Sequence, residues 1–484
     1  MAETHWLSLA TFLPLAGALG VALARSERAA RILSLVFALG VLAITIGTYA
    51  AYTTPNEFAF VEEARWIDAL DVYYRLGADG TSLALALLTA LLTVVAILCS
   101  WTSITERVRG YYAAFLVLET GMLGVFYALD LFLFYLFWEG ALIPMYLIIG
   151  IWGGPRRIVA SVKFVIFTVA GSVLMLVAIL FLYFAVKPGP DQSALDMRLL
   201  PELIRTAAIA PGTLAWLFGA FALAFLIKVP AVPFHTWLPD AHVEAPTAGS
   251  VILAGILLKM GVYGFIRLAI PFFPEQAARF APAMIVVGLV GIVFGALMAM
   301  AQHDIKKLIA YSSVSHMGFC IVGLFAGSAA ATQGAVLQMI NHGLSTGALF
   351  ALVGVVYERT HKRGVDDFGG LAAVTPAYAT VFLIATLSSI GLPGLNGFVG
   401  EVLVLFGTYQ SGRPIAAAVA GTGVILGAIY MLRLYRVVFF GRVPLKRYER
   451  LPDLTATEMA GFAPLLALMA LIGVFPWLVL HVLP

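Results

Sequence analysis

The chain has 484 residues, of which 62% are hydrophobic and only 11% charged, with a mean hydropathy of +0.98. Soluble domains carry about 25% charged residues, so the composition excludes a water-soluble enzyme and reads as a polytopic membrane protein. The net charge of +3 says little, because where the charges lie matters more than their sum.

In a bilayer about 20 apolar residues make one crossing. Fourteen spans are expected, at 6–24, 30–51, 82–101, 111–129, 131–151, 159–186, 213–239, 246–268, 281–300, 304–326, 332–357, 372–410, 415–437 and 459–482. The first lacks a basic leader and runs into the series, so it reads as a span and not a cleaved signal. An even count puts both termini on one side. Connections after odd-numbered spans hold Arg25, Arg28, Arg107, Arg109, Arg156, Arg157, Lys306, Lys307, Arg359, Lys362, Arg363, Arg442, Lys446, Arg447 and Arg450. Those after even-numbered spans hold fewer cations, and the 52–81 loop is rich in Glu and Asp. The positive-inside bias makes the first set cytoplasmic and both termini periplasmic, in the inner membrane of a bacterium. The connections are short and the chain stops soon after its last span, so no soluble domain or long C-terminal extension is expected.

Polar residues inside the spans come next, in chain order. Glu119 and Glu139 lie at similar depth in the fourth and fifth spans, joined by a tight turn at Asp130. Glu119 fits a helix-packing partner as well as an ion path. Lys163, near a span end, is expected to snorkel, as is Arg267. Lys228 lies roughly 22 Å into the seventh span and Lys259 roughly 20 Å into the eighth from the other side, at about 1.5 Å per residue. Both fall near the midplane. Pro230 and Pro233 follow Lys228 at once, and proline removes a backbone donor and blocks the preceding turn, so the helix should break beside the lysine. A buried ammonium costs roughly 3 kcal/mol or more at a helix centre. Leucine would be cheaper at Lys228, Lys259 and Glu139, which therefore point to an ion path.

His235, Asp240, His242 and Glu244 cluster after the break. They have the chemistry of a metal site, but the surrounding prolines favour a structured funnel or cap. His303, Asp304, Lys306 and Lys307 read as an ordinary helix start with inside-facing cations. His316 and His342 lie deep in the tenth and eleventh spans. In the twelfth, Pro393, Gly394 and Gly397 make a second break, and Glu401 follows it. Paired interrupted segments suggest repeats with ion sites at the breaks. Five spans separate them, an odd number, so the repeats must be inverted.

The expected fold is therefore an all-α membrane protein with helices 7 and 12 broken. Residues 1–110 would hold three leading helices, 111–268 the first inverted repeat, 281–440 the second, and 441–484 the last helix. Cys99 and Cys320 lie in apolar runs and build no disulfide framework, CxxC pair or iron–sulfur pattern. No nucleotide-binding glycine motif or HExxH stands in a suitable context. No cofactor, metal or nucleic-acid partner is expected on this chain.

The run KVPAVPFHTWLPDAHVEAPTAGSVILAGILLKMGVYG, from Lys228 to Gly264, resembles the signature of the antiporter-like proton-pumping subunits of respiratory NADH:quinone oxidoreductase, complex I. LGADGTSL at 76–83, FWEGALIPMY at 137–146, HDIKKLIAYSSVSHMG at 303–318 and LPGLNGFVGE at 392–401 extend the resemblance over nearly the whole chain. Within that family the pattern is most similar to the M branch, the counterpart of mitochondrial chain 4. Glu401 stands where the sister branches L and N place lysine, and no C-terminal lateral helix is expected. Related subunits of sodium/proton antiporter complexes and membrane-bound hydrogenases share much of the pattern.

The resemblance implies that Glu139 pairs with Lys228 in an input half and that Lys259 is the central proton carrier. His316 and His342, with water, would lead on to Glu401 in an output half. It also implies partners: neighbouring antiporter-like and other membrane subunits. NADH, FMN, iron–sulfur clusters and quinone would sit in partner chains. A self-sufficient cation/proton antiporter is the rival reading, and a structural scaffold a weaker one.

Overall fold

Apolar stretches this long fold as helices because, in lipid, each backbone polar group must be satisfied within its own segment. The computed structural model describes residues 5–483 except 56, 190, 191, 443–447 and 449. Lys446 and Arg447, expected at the cytoplasmic surface, lie outside the described residues.

The helices run in chain order as α1 (Trp6–Ala22), α2 (Glu27–Ala51), α3 (Gly80–Cys99), α4 (Val108–Tyr127), α5 (Leu131–Trp152), α6 (Arg157–Ala185) and α7 (Pro211–Lys228). They continue as α8 (Trp237–Glu244), α9 (Thr247–Phe272), α10 (Pro274–Met300), α11 (Ile305–Phe325), α12 (Ala329–Thr360), α13 (Pro376–Ser389), α14 (Asn396–Gln410), α15 (Pro414–Phe439) and α16 (Ala456–Val474). Among the described residues, 12 helices are long and apolar enough to cross a membrane, and α1 and α13 are shorter apolar helices. Each of the fourteen expected segments contains a helix. The seventh is α7 with α8, and the twelfth is α13 with α14.

Burial sorts these helices into a centre and a rim. α3, α9, α11 and α12 are buried along most of their length, whereas α2, α15 and α16 expose most of theirs. Without a hydrophobic drive between helices in lipid, close packing depends on small residues. Gly255 of α9 and Gly343 of α12 supply it. A Cβ on Gly343 would come within 3.1 Å of the Gly255 carbonyl oxygen, and Leu88 and Leu92 of α3 fill the space against the two glycines.

Residues 52–81, expected as a loop, contain an antiparallel hairpin, β1 (Ala59–Ile67) and β2 (Val72–Ala78). Glu63 lies opposite Arg75 and Arg65 opposite Tyr73. The hairpin marks one face of the molecule and is tied to it by ions. Buried Arg75 pairs with Glu63 and, at 3.2 Å, with Asp196, which Arg198 also holds at 2.7 Å. The Arg75 guanidinium keeps the Glu63 carboxyl below the usual carboxylate range. Glu62 accepts from the backbone N–H groups of Leu7 (2.7 Å) and Ser8, satisfying donors at the start of α1 that have no partner within the helix.

Candidate functional site

The first break forms where α7 ends on Lys228. Trp237, fully buried, donates its indole N–H to the Ile227 carbonyl at 3.0 Å, so one orphan acceptor of the helix end is satisfied. The ammonium of Lys228 lies in the last turn, where helix carbonyls favour a cation. It sits 5.0 Å from the centre of the Trp138 ring and 5.9 Å from that of Phe164, a cation–π setting. Among the described residues Lys228 Nζ has no hydrogen-bond partner, and no ion pair joins it to Glu139 within 4.0 Å. Trp138, the residue before Glu139, provides the ring that the ammonium faces instead. Glu139 is half-buried beside Tyr135, and its Oε1 is unpartnered.

Lys259 lies between two π-helical turns of α9, Leu253–Leu257 and Phe265–Ala269. Single π turns of this kind are rare and often sit at functional sites, and the Lys259 ammonium donates to a carbonyl of the first, Ala254 O. It also shares a 2.6 Å hydrogen bond with His342 Nδ1 on α12. The ring of His342 meets that of His316 on α11 edge to face, with centroids 5.5 Å apart. His316 Nε2 then stands 3.8 Å from Glu401 Oε1 on α14. All four side chains are buried. Lys259, His342, His316 and Glu401, drawn from four helices, thus form one polar line. Among the described residues, His342 Nε2 and His316 Nδ1 have no hydrogen-bond partner of good geometry.

The second break anchors the far end of that line. Ser388 donates to the Asn396 side-chain oxygen at 2.6 Å, and Asn341 donates to the Asn396 carbonyl at 2.7 Å. Gln338, one turn before His342, donates to Glu401 Oε1 at 3.3 Å. Gly391 turns the chain at φ +71°, and a Cβ there would come within 2.7 Å of Glu401 Oε2. Gln338, Asn341, Asn396 and Ser388 were not singled out from sequence. For Gln338 and Asn341 the signal is the spacing Gln338–Asn341–His342, which puts three polar groups on one face of an apolar helix.

Other expected residues go elsewhere. Glu119 is buried beside the Thr93 side chain. Lys163 does not snorkel freely: it pairs with Asp240 at 2.7 Å and donates to the Thr236 carbonyl at 2.8 Å, pinning the broken segment. Arg267 does not snorkel either, being paired with Asp79 at 2.6 Å.

The cluster after the break also disperses. Glu244 accepts from the Arg156 backbone N–H at 2.8 Å, His235 packs against Phe294 and Tyr311, and His242 stacks on Phe350 at 4.3 Å. Among the described residues no three His, Cys, Asp or Glu side chains gather as a metal site. Lys306 is more than a surface cation. It is buried, donates to the Ala245 carbonyl at 2.9 Å, and lines a cavity of about 470 Å³ with Glu244, Glu358 and Arg363.

Residues 128–427 match the family model described as NADH:quinone oxidoreductase/Mrp antiporter, TM. The chain belongs to this family. It is 45% identical to the NADH-quinone oxidoreductase subunit M of Rhodobacter capsulatus over 98% of its own length and 94% of that protein. It is 42% identical to the NADH-ubiquinone oxidoreductase chain 4 of Marchantia polymorpha, over 87% of this chain and 83% of that one. A chain of the respiratory complex I of Thermus thermophilus, solved with bound NADH, superposes with a TM-score of 0.87 at 33% identity, covering 98% of this chain and 97% of that one.

Proposed function

We propose that this chain moves protons across the membrane as the M-type, antiporter-like subunit of NADH:quinone oxidoreductase, driven by electron transfer in partner subunits. The observation that carries the reading is the line Lys259–His342–His316–Glu401. A loaded Lys259 donates to His342 Nδ1, and a neutral amine accepts from it, so the same 2.6 Å bond serves both states. Water bridging the imidazoles, and His316 to Glu401, would complete a relay; such bridges are nearly as good as direct hydrogen bonds. Lys228 and Glu139 form the input half, coupled through space, with the Lys228 ammonium packed on the Trp138 ring. NADH, FMN, iron–sulfur clusters and quinone belong to the partner subunits. The isolated chain should show no cation-driven exchange in vesicles; autonomous Na⁺/H⁺ exchange would support the antiporter reading instead.

The input half is tested by Glu139→Ala and Lys228→Ala in assembled complexes. Each should remove most NADH-driven proton translocation, with Glu139→Asp milder because the charge survives. Near-normal pumping in either alanine variant would take the pair out of the mechanism.

The fourteen segments cross the membrane with the hairpin face outward, in a bacterial inner membrane with both termini periplasmic. Residues 111–268 and 281–440 form two inverted repeats, each carrying one broken segment. Cysteines placed in 52–81 should label from outside, and those at 442–450 only after permeabilisation. The reverse pattern would invert the path.

Gly391→Ala probes the output end. A side chain at positive φ costs roughly 1–2 kcal/mol, and its Cβ would press on Glu401. Pumping per NADH should fall while assembly persists. Wild-type pumping would mean that Glu401 does not need its observed position.

A further inference from the structure

One cluster of buried and half-buried polar groups, one to two helical turns beyond Lys259 on α9, has no part in the line described above. Tyr263 and Arg267 follow Lys259 on α9 toward the hairpin face, with Arg267 about 12 Å farther along at 1.5 Å per residue. Tyr263 donates its hydroxyl to the Phe126 carbonyl at 2.9 Å and lies 3.0 Å from Ser82 Oγ. Arg267 Nε donates to the Tyr263 oxygen at 3.1 Å, and Nη2 to Ser82 Oγ at 3.2 Å and to Asp79 Oδ2 at 2.6 Å. The guanidinium also stacks on Phe58 of the hairpin segment and on Tyr263. Tyr263 stands one helical turn beyond Lys259 on the same face of α9, so without the arginine Tyr263, Ser82 and Asp79 would offer a short ladder of proton acceptors and donors from that turn to the hairpin face.

An arginine cannot be a rung of such a ladder. It has five donors, no acceptor, and does not give up its proton in proteins. Here it occupies the tyrosine and serine oxygens together with one oxygen of the aspartate. The remaining Tyr263 proton points at a backbone carbonyl, which cannot pass it on.

We propose that Arg267, held by Asp79, is a proton barrier that closes the hairpin-face end of α9, so that a proton on Lys259 leaves sideways through His342. Arg267 is a positioning residue for the path and not a carrier. The inference rests on the reading of Lys259 as carrier.

The test uses assembled complexes in vesicles, with passive proton flux followed by a trapped pH dye after an acid jump, without NADH. Arg267→Gln should raise the leak several-fold and lower the NADH-driven gradient while NADH oxidation continues. Adding Lys259→Met should return the leak to the wild-type level. A tight Arg267→Gln complex overturns the barrier. So does a leak that persists with Lys259→Met, since it would bypass the carrier. If Arg267→Gln fails to assemble, Arg267→Lys replaces it, because lysine keeps a cation against Asp79 but can release its proton. Its leak should exceed wild type and vanish with Lys259→Met, and wild-type tightness would again overturn the proposal. Failure of the underlying reading looks different: Lys259→Met alone would then pump normally.

Discussion

Lys259→Met should leave the complex assembled and remove most NADH-driven proton translocation through this subunit, slowing transfer by about 10²-fold or more, the usual contribution of a positioned proton-transfer group. Methionine fills a similar volume and removes a buried cation, so folding is not the expected casualty. His342 would lose the 2.6 Å partner on its Nδ1, and the line would end at an imidazole with no donor behind it. Lys259→Arg makes the complementary case. It keeps the charge but cannot release a proton, so it should fail to pump as well. Assembly on native gels and protons moved per NADH are the measurements. Near-wild-type pumping with methionine would remove Lys259 as carrier.

Glu401→Gln should have the second large effect. Glutamine keeps the shape and the hydrogen bond from Gln338 but cannot cycle a proton. His316, 3.8 Å away, would then face an amide in place of a carboxyl group. Pumping should fall sharply, again with normal assembly. Glu401→Lys should be partly tolerated, because lysine also exchanges protons. Glu401→Gln complexes that pump like wild type would move the exit elsewhere.

Much of this site was legible because an ionisable residue in an apolar run has so few structural excuses. Lys228, Lys259, His316, His342 and Glu401 stood out on that ground, and the proline and glycine clusters located both breaks. What the sequence hid were contacts between distant segments. Lys163 and Arg267 look like snorkelling cations when only their distance from a span end is considered. Their partners, Asp240 and Asp79, come from other segments of the chain. The surroundings of Lys228 were hidden for a related reason, since depth along two helices does not reveal that its ammonium packs on the Trp138 ring. The β-hairpin was masked by a charged composition that resembled an ordinary loop. The π turns around Lys259 had no visible mark beyond Gly255, Gly261 and Gly264, which are equally compatible with plain close packing.

Those two wide turns have a mechanical consequence. Each holds slack that a regular α-helix lacks, and together they bracket the seven residues Leu258–Gly264. At one end α9 is fastened by the packing of Thr247 against Gly354, and at the other by the grip of Arg267 on Asp79. The bracketed piece is itself clamped: Tyr263 donates to the Phe126 carbonyl, and Gly261 and Gly264 lie close against Phe225. Any give in α9 is therefore confined to the two wide turns, and the stretch that carries Lys259 is a rigid insert that keeps the amine at His342.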